Sequence, residues 1–255
     1  IRGEENTMFT ISGDGTLKVT GGSGEEYSAG ICSGTVSITD GKVTATGGPA
    51  TSDSYDAESY GIDAQYVQIT GGEVTAEGGS AEAGSTDAES YGINAFEIKI
   101  TDGKVTATGG PATSDSYDAE SYGIDAQYVQ ITGGEVTAEG GSAEANGDAA
   151  DAYSDGIDAD FVTISGGKVK ATGGDATAAG SGSYAYSSGI YADADLEISG
   201  GMLNAAGGEA KGTGKESFGL DVDDLTISGG EVTATGRDAA IATYNSVVIN
   251  PEDGL

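Results

Sequence analysis

Residues 38–83 and 100–145 are the same sequence letter for letter, 62 positions apart, and that offset is two copies of a 31-residue unit. Self-similarity at a fixed period of this length is the mark of a solenoid or array, in which no unit can bury its apolar face alone. The unit recurs along the chain as Gly30-Ile31, Gly61-Ile62, Gly92-Ile93, Gly123-Ile124, Gly156-Ile157, Gly189-Ile190 and Gly219-Leu220. A worn coil from Phe9 to Ser28 precedes these repeats, and a shortened one from Ile241 to Asn250 follows them.

Within a unit the period is two. Gly61-Ile62-Asp63-Ala64, Val67-Gln68-Ile69-Thr70 and Glu73-Val74-Thr75-Ala76-Glu77 each alternate apolar and polar residues, which marks half-buried strands. Gly71-Gly72 and Gly78-Gly79 punctuate the runs, and no stretch carries a 3.6-residue stripe. The fold expected is therefore all-β: a single right-handed parallel β-helix of about eight or nine coils, with three short strands per coil. It fills residues 1–255 as one domain: a worn coil at 1–29, seven repeat coils at 30–240 and a short coil at 241–255.

In-register stacking predicts inward ladders about 4.8 Å apart per step. One runs Ile31, Ile62, Ile93, Ile124, Ile157, Ile190, Leu220; another Val36, Val67, Ile98, Val129, Val162, Leu225; a third Val43, Val74, Val105, Val136, Val169, Leu203, Val232. The outward position before the third reads Lys42, Glu73, Lys104, Glu135, Lys168, so opposite charges face each other across coils and disfavour a one-coil slip. Residues such as Gly79–Tyr91 read as a long loop, the side of a solenoid where binding surfaces collect. The serine two places before each repeat glycine (Ser28, Ser59, Ser90, Ser121, Ser154, Ser187, Ser217) reads as a hydroxyl ladder satisfying turn backbone.

The charge balance, 10 Lys+Arg against 42 Asp+Glu, gives a net −32. Phosphate binding needs a basic surface, so nucleic acid is no partner, and an anionic membrane fails on the same sign. No apolar run is long enough for a membrane span, so direct insertion is not expected. Cys32 is the one cysteine, which leaves no disulfide framework. Acidic repeat chains of this kind fit a secreted or cell-surface location. Ile1-Arg2-Gly3-Glu4-Glu5 does not read as a signal peptide, so the expectation is a piece of a longer exported protein, acting as a monomer.

Catalysis is argued against by what the chain lacks. With no His there is no Ser-His-Asp triad and no imidazole metal cage. Arg2 and Arg237, at opposite ends of the array, are the only arginines for lyase-like base chemistry. No catalytic residue is assigned. Among so many acids, a carboxylate pair at glycosidase spacing has no specificity.

Acidic ladders are the candidate cation ligands. One contains Asp63 and Asp125, with Asn94, Asp158 and Asp221 in the same column; the other lies in the loops as Asp56/Glu58, Asp87/Glu89 and Asp118/Glu120. Stacked carboxylates repel unless solvated, protonated or bridged, and calcium takes several oxygens in a flexible shell. The alternative is a solvated acidic face. Tyr60, Tyr91 and Tyr122, in successive coils, could stack on sugar faces along a polysaccharide or fold inward against the coil flank. The threonine row Thr44, Thr75, Thr106, Thr137 is flanked by charges and broken at Lys170, so it offers no flat uncharged face.

Asp155-Gly156-Ile157-Asp158-Ala159-Asp160, followed by Val162-Thr163-Ile164-Ser165-Gly166-Gly167, resembles the repeat of a bacterial right-handed β-helix family usually called a carbohydrate-binding domain. That family is found on clostridia-related and gut bacterial surface proteins. The resemblance implies bound calcium, with Asp155, Asp158 and Asp160 as the matching positions, and adhesion to plant polysaccharide. Here Tyr60, Tyr91, Tyr122, Ser188 and Phe218 stand where the family tends to have Asp before Gly-Ile. Three functions follow as expectations: a calcium-assisted polysaccharide-binding or adhesive module; a structural stalk or adhesin without a glycan site; and, more distantly, a polysaccharide lyase or hydrolase.

Overall fold

A computed structural model describes residues 1–4 and 6–250; of the expected final coil, residues 251–255 lie outside the described residues. The chain is an all-β right-handed parallel solenoid, and every strand pairing in it is parallel. Three sheets run its length. The first is built from long strands such as Ala57–Ile69, Ala88–Ile100 and Ala119–Ile131, the second from five-residue strands such as Glu73–Glu77 and Lys104–Thr108, and the third from short strands such as Ala81–Ala83 and Ala112–Ser114.

The inward ladders lie in the expected register. Ile62, Ile93 and Ile124 pair in sequence, as do Val67, Ile98 and Val129, and Val74, Val105 and Val136. All are buried in one continuous aliphatic cluster. Leu196 fills the gap in the second ladder, where an irregular pairing between Ala192 and Asp195 hides it from fixed spacing. Lys42 reaches Glu73 at 3.0 Å and Lys168 reaches Glu135 at 3.4 Å, both exposed, so they serve register more than stability.

Two expectations change. The solenoid winds about seven turns, slightly fewer than the eight or nine expected: the second sheet holds eight strands among the described residues and the third only six, so the coils at the ends are incomplete. The strands are also divided differently. The first two runs of the unit join into one long strand, and the supposed loop holds the third sheet and the start of the next long strand. That segment has its own core: Ala81, Ala83 and Ala88 are buried with their equivalents in the other coils in a cluster made only of alanines. Alanine leaves room for just a thin lobe, so the cross-section has a wide aliphatic part and a narrow alanine part.

The serine ladder joins the two lobes. Ser90 Oγ donates to the Gly79 carbonyl at 2.6 Å and accepts from the Gly110 amide at 2.9 Å, tying a corner of one coil to the next. Ser59 and Ser121 repeat the pattern. The second glycine of each Gly-Gly pair that leads into a second-sheet strand, for example Gly72 at φ 83°, sits in the left-handed region that only glycine enters freely.

Candidate functional site

Alternation along the long strands Ala57–Ile69, Ala88–Ile100 and Ala119–Ile131 breaks at Ser-Tyr-Gly-Ile, four consecutive buried positions, at 59–62 in the first of them. Ser59 and Ile62 face the two cores, so the chain turns a re-entrant corner between the lobes and Tyr60 fills the outside of that corner. Stacked coils extend the corner into a groove along the axis. Tyr60, Tyr91 and Tyr122 pair in register as its floor, Glu58, Glu89 and Glu120 form one wall, and Asp63, Asn94 and Asp125 form the other.

The tyrosines expected to stack on sugar are thus interior residues. They are 6%, 4% and 6% exposed, and their rings stack on one another, with Tyr91 and Tyr122 centroids 5.3 Å apart. Ring faces covered by neighbouring rings offer nothing to a pyranose, so the inward alternative applies. Their hydroxyls bridge the acids instead: Tyr60 donates to Glu58 at 2.9 Å, and Tyr91 to Glu89 at 3.0 Å and Glu120 at 2.8 Å.

Most of the candidate calcium ligands likewise have protein partners. Asp56, Asp87 and Asp118 accept the backbone amides of Asp87, Asp118 and Asp151 in turn, at 3.3, 3.0 and 2.7 Å, a carboxylate-to-amide ladder that holds the coils together. Asp63 accepts from Tyr27 at 2.6 Å, Asp125 from Asn94 at 2.6 Å and Asp160 from Gln127 at 3.0 Å. Asp155 accepts the Ser188 amide from inside the groove. Among the described residues no group of three or more Asp, Glu, His or Cys stands where it could share one metal ion. Calcium takes six to eight oxygens in a single shell, carbonyls and water among them, and these carboxylates do not converge on one point.

Burial governs the titration of the seam. Loss of solvent pushes Glu89 up to about 8, helped by the nearby Glu120 and Glu58 and opposed by the Tyr91 hydroxyl. Asp125 is pushed up to about 7 by burial, then by Glu120 and Asp160. Asp155 and Asp158 are also raised, first by burial and then by other carboxylates.

Past Tyr122 the floor loses its rings. Asp155 and Ser188 take the floor position before Phe218 restores an aromatic, and the groove opens there into a cleft. Glu120, Asp155, Asp158 and Asp221 line it together with Tyr153, Tyr186, Tyr191 and Tyr244. Asp221 is 6% exposed, and its Oδ1 is buried without a hydrogen-bond partner among the described residues.

A second feature was missed from sequence. Tyr66, Phe96 and Tyr128 are 45%, 49% and 40% exposed on the outer face of the first sheet, and Phe161 continues their line. Centroids lie 6.2 Å apart from Tyr66 to Phe96, 5.5 Å from Phe96 to Tyr128, and 5.1 Å from Tyr128 to Phe161. Phe96 stands edge-on to both neighbours, so the stripe shows ring faces as well as edges. Gln130 and Thr163 border it.

A family described as a beta helix repeat matches residues 9–34, 36–62, 67–85, 98–124, 129–150, 162–186 and 225–241, more than half of the chain. No curated protein and no solved structure matches it.

Proposed function

The chain belongs to the beta helix repeat family, and from that premise we propose that it is a non-catalytic adhesive module, displayed outside the cell, that holds polysaccharide along its axis. A beta-helix repeat fold is consistent with a surface or adhesin-like module. The observation that carries the glycan part is the exposed stripe Tyr66–Phe96–Tyr128–Phe161. Solvent-facing rings in a line, bordered by amide and hydroxyl side chains, match a chain of sugars with apolar faces and hydroxyl rims.

The test is retention on uncharged and acidic glycans. The expected result is binding to uncharged polysaccharide, weakened about thirtyfold when Phe96→Ala and Tyr128→Ala are combined, since each exposed ring contributes on the order of 1 kcal/mol. Both rings are exposed, so the fold survives their loss. No retention on any glycan, or retention indifferent to the two rings, overturns the reading. The first outcome favours the structural stalk, which the letter-perfect duplication of residues 38–83 supports.

Calcium enters this function as an exterior counter-ion and not as a caged cofactor. A surface at net −32 is relieved by any divalent cation. Calcium and magnesium are therefore expected to raise the melting temperature by equal amounts at equal concentration, in calorimetry against chelator. A rise confined to calcium would identify a specific site and sink this assignment.

A further inference from the structure

The cleft beyond Tyr122 differs from the rest of the groove in being open and in holding an unsatisfied acceptor. Tyr hydroxyls and amides engage the acids along the seam, and Tyr244 meets Asp221 in the same way, but Asp221 Oδ1 is buried with no partner among the described residues. A buried acceptor left unpaired costs about 1–3 kcal/mol, more when charged, so the site is poised for a donor. The cleft also extends along the axis. Glu120, Asp158 and Asp221 sit on different coils, and Tyr244 on the coil after Asp221, so at about 4.8 Å per step the slot is roughly 19 Å long.

Its chemistry separates two kinds of cation. A strongly hydrated divalent ion wants oxygens converging on one point, and the carboxylates here are spread along the slot. Aromatic faces, by contrast, attract weakly hydrated organic cations. Tyr186, Tyr191 and Tyr244 supply rings beside Asp158 and Asp221. An ammonium entering the slot favours the ionised form of the acids beside it, so acids repeated along an aromatic-walled slot suit an extended ligand with several ammonium groups.

We propose that this cleft binds protonated primary amines carried along a chain, and that amine-bearing sugars are the ligand it serves. The inference rests on the reading of the chain as a polysaccharide-holding module. The two features are neighbours: in the long strands the groove-wall acid stands three residues before the stripe, as in Asp125 and Tyr128 or Asp158 and Phe161. A glycan on the stripe is thus within reach of the cleft. Net charge −32 attracts a cationic glycan and repels an anionic one.

The experiment is calorimetric titration of the intact chain with glucosamine oligomers, their N-acetylated counterparts, spermidine and calcium. Glucosamine oligomers are expected to bind, and acetylation, which removes the charge, to weaken binding at least tenfold. Asp221→Asn is expected to weaken it on the order of tenfold, because a desolvated charge pair loses one partner. Tyr244 is exposed, so the fold survives Tyr244→Ala, which is expected to weaken amine binding severalfold. Equal binding of spermidine would transfer the site to free polyamines and overturn the sugar assignment. Displacement of the amine by stoichiometric calcium would overturn the ammonium assignment. Absence of amine binding with uncharged glycan still retained on the stripe sinks this inference alone; loss of both sinks the module reading with it.

Discussion

Replacing Gly92 by alanine is expected to destabilise the solenoid by about 3 kcal/mol, one of the largest effects of a single methyl in this chain. A Cβ at Gly92 would lie 2.5 Å from the Gly123 carbonyl oxygen, 2.5 Å from the Thr108 amide nitrogen and 2.9 Å from the Ala107 carbonyl carbon. All three are backbone atoms, and two belong to the second sheet packed behind the corner, so no rotamer change relieves the clash. The corner must open, and with it the registry of Ile93 over Ile62. At 255 residues, about 3 kcal/mol corresponds to roughly 10 °C in melting temperature. In a stacked array the damage also weakens the coupling between coils on either side, so the transition should broaden or split. Gly22→Ala is the control: its Cβ would meet nothing within 4 Å. Circular dichroism melts check the pair. Equal melts for the two variants would mean that the Gly-Ile corner is not the tight joint described.

That joint is legible in the sequence, and its neighbour is not, for a physical reason. Ile62, Ile93 and Ile124 repeat at constant spacing in runs of period two, so strand, face and register all follow from one pattern. The third sheet hid because Ala81-Glu82-Ala83 is short, and alanine with glycine and serine around it reads as loop composition; only its repetition at the same offset as the other ladders could have revealed a second core. The tyrosine floor could not be assigned to one face from sequence, because alternation fails where the strand turns a corner between two lobes. Tyr60 then follows Ser59 into the interior, although strict alternation sends it outward. The exposed stripe escaped for a related reason. Phe96 lies one position earlier in its strand than Tyr66 and Tyr128, whose register partner is Glu97, so the aromatic line is a zigzag and does not form a column in the aligned repeats.

The buried acid seam should make the protein most stable in mild acid, the reverse of the usual carboxylate behaviour. Glu89 ordinarily titrates near 4.5 and is pushed up to about 8 here by loss of solvent and by Glu120 and Glu58. Between those two values the folded chain keeps a proton that the unfolded chain has released. Stability therefore falls as pH rises through that window, and the cost is absent below it. Asp125, pushed up to about 7, acts in the same direction. General self-repulsion at net −32 has the same sign, so the seam must be isolated by substitution. Glu89→Gln keeps an acceptor for the Tyr91 hydroxyl and removes the charge; Glu82→Gln removes the same charge from an exposed position. At pH 8, Glu89→Gln is expected to raise the melting temperature by several degrees, a gain of more than about 1 kcal/mol, with Glu82→Gln near wild type. At pH 4, where Glu89 carries its proton folded or unfolded, the two variants should melt alike. A fall in the Glu89→Gln melt at pH 8 would mean that the carboxylate is ionised and held there by its tyrosines, and that the seam is not a row of acids kept neutral by burial.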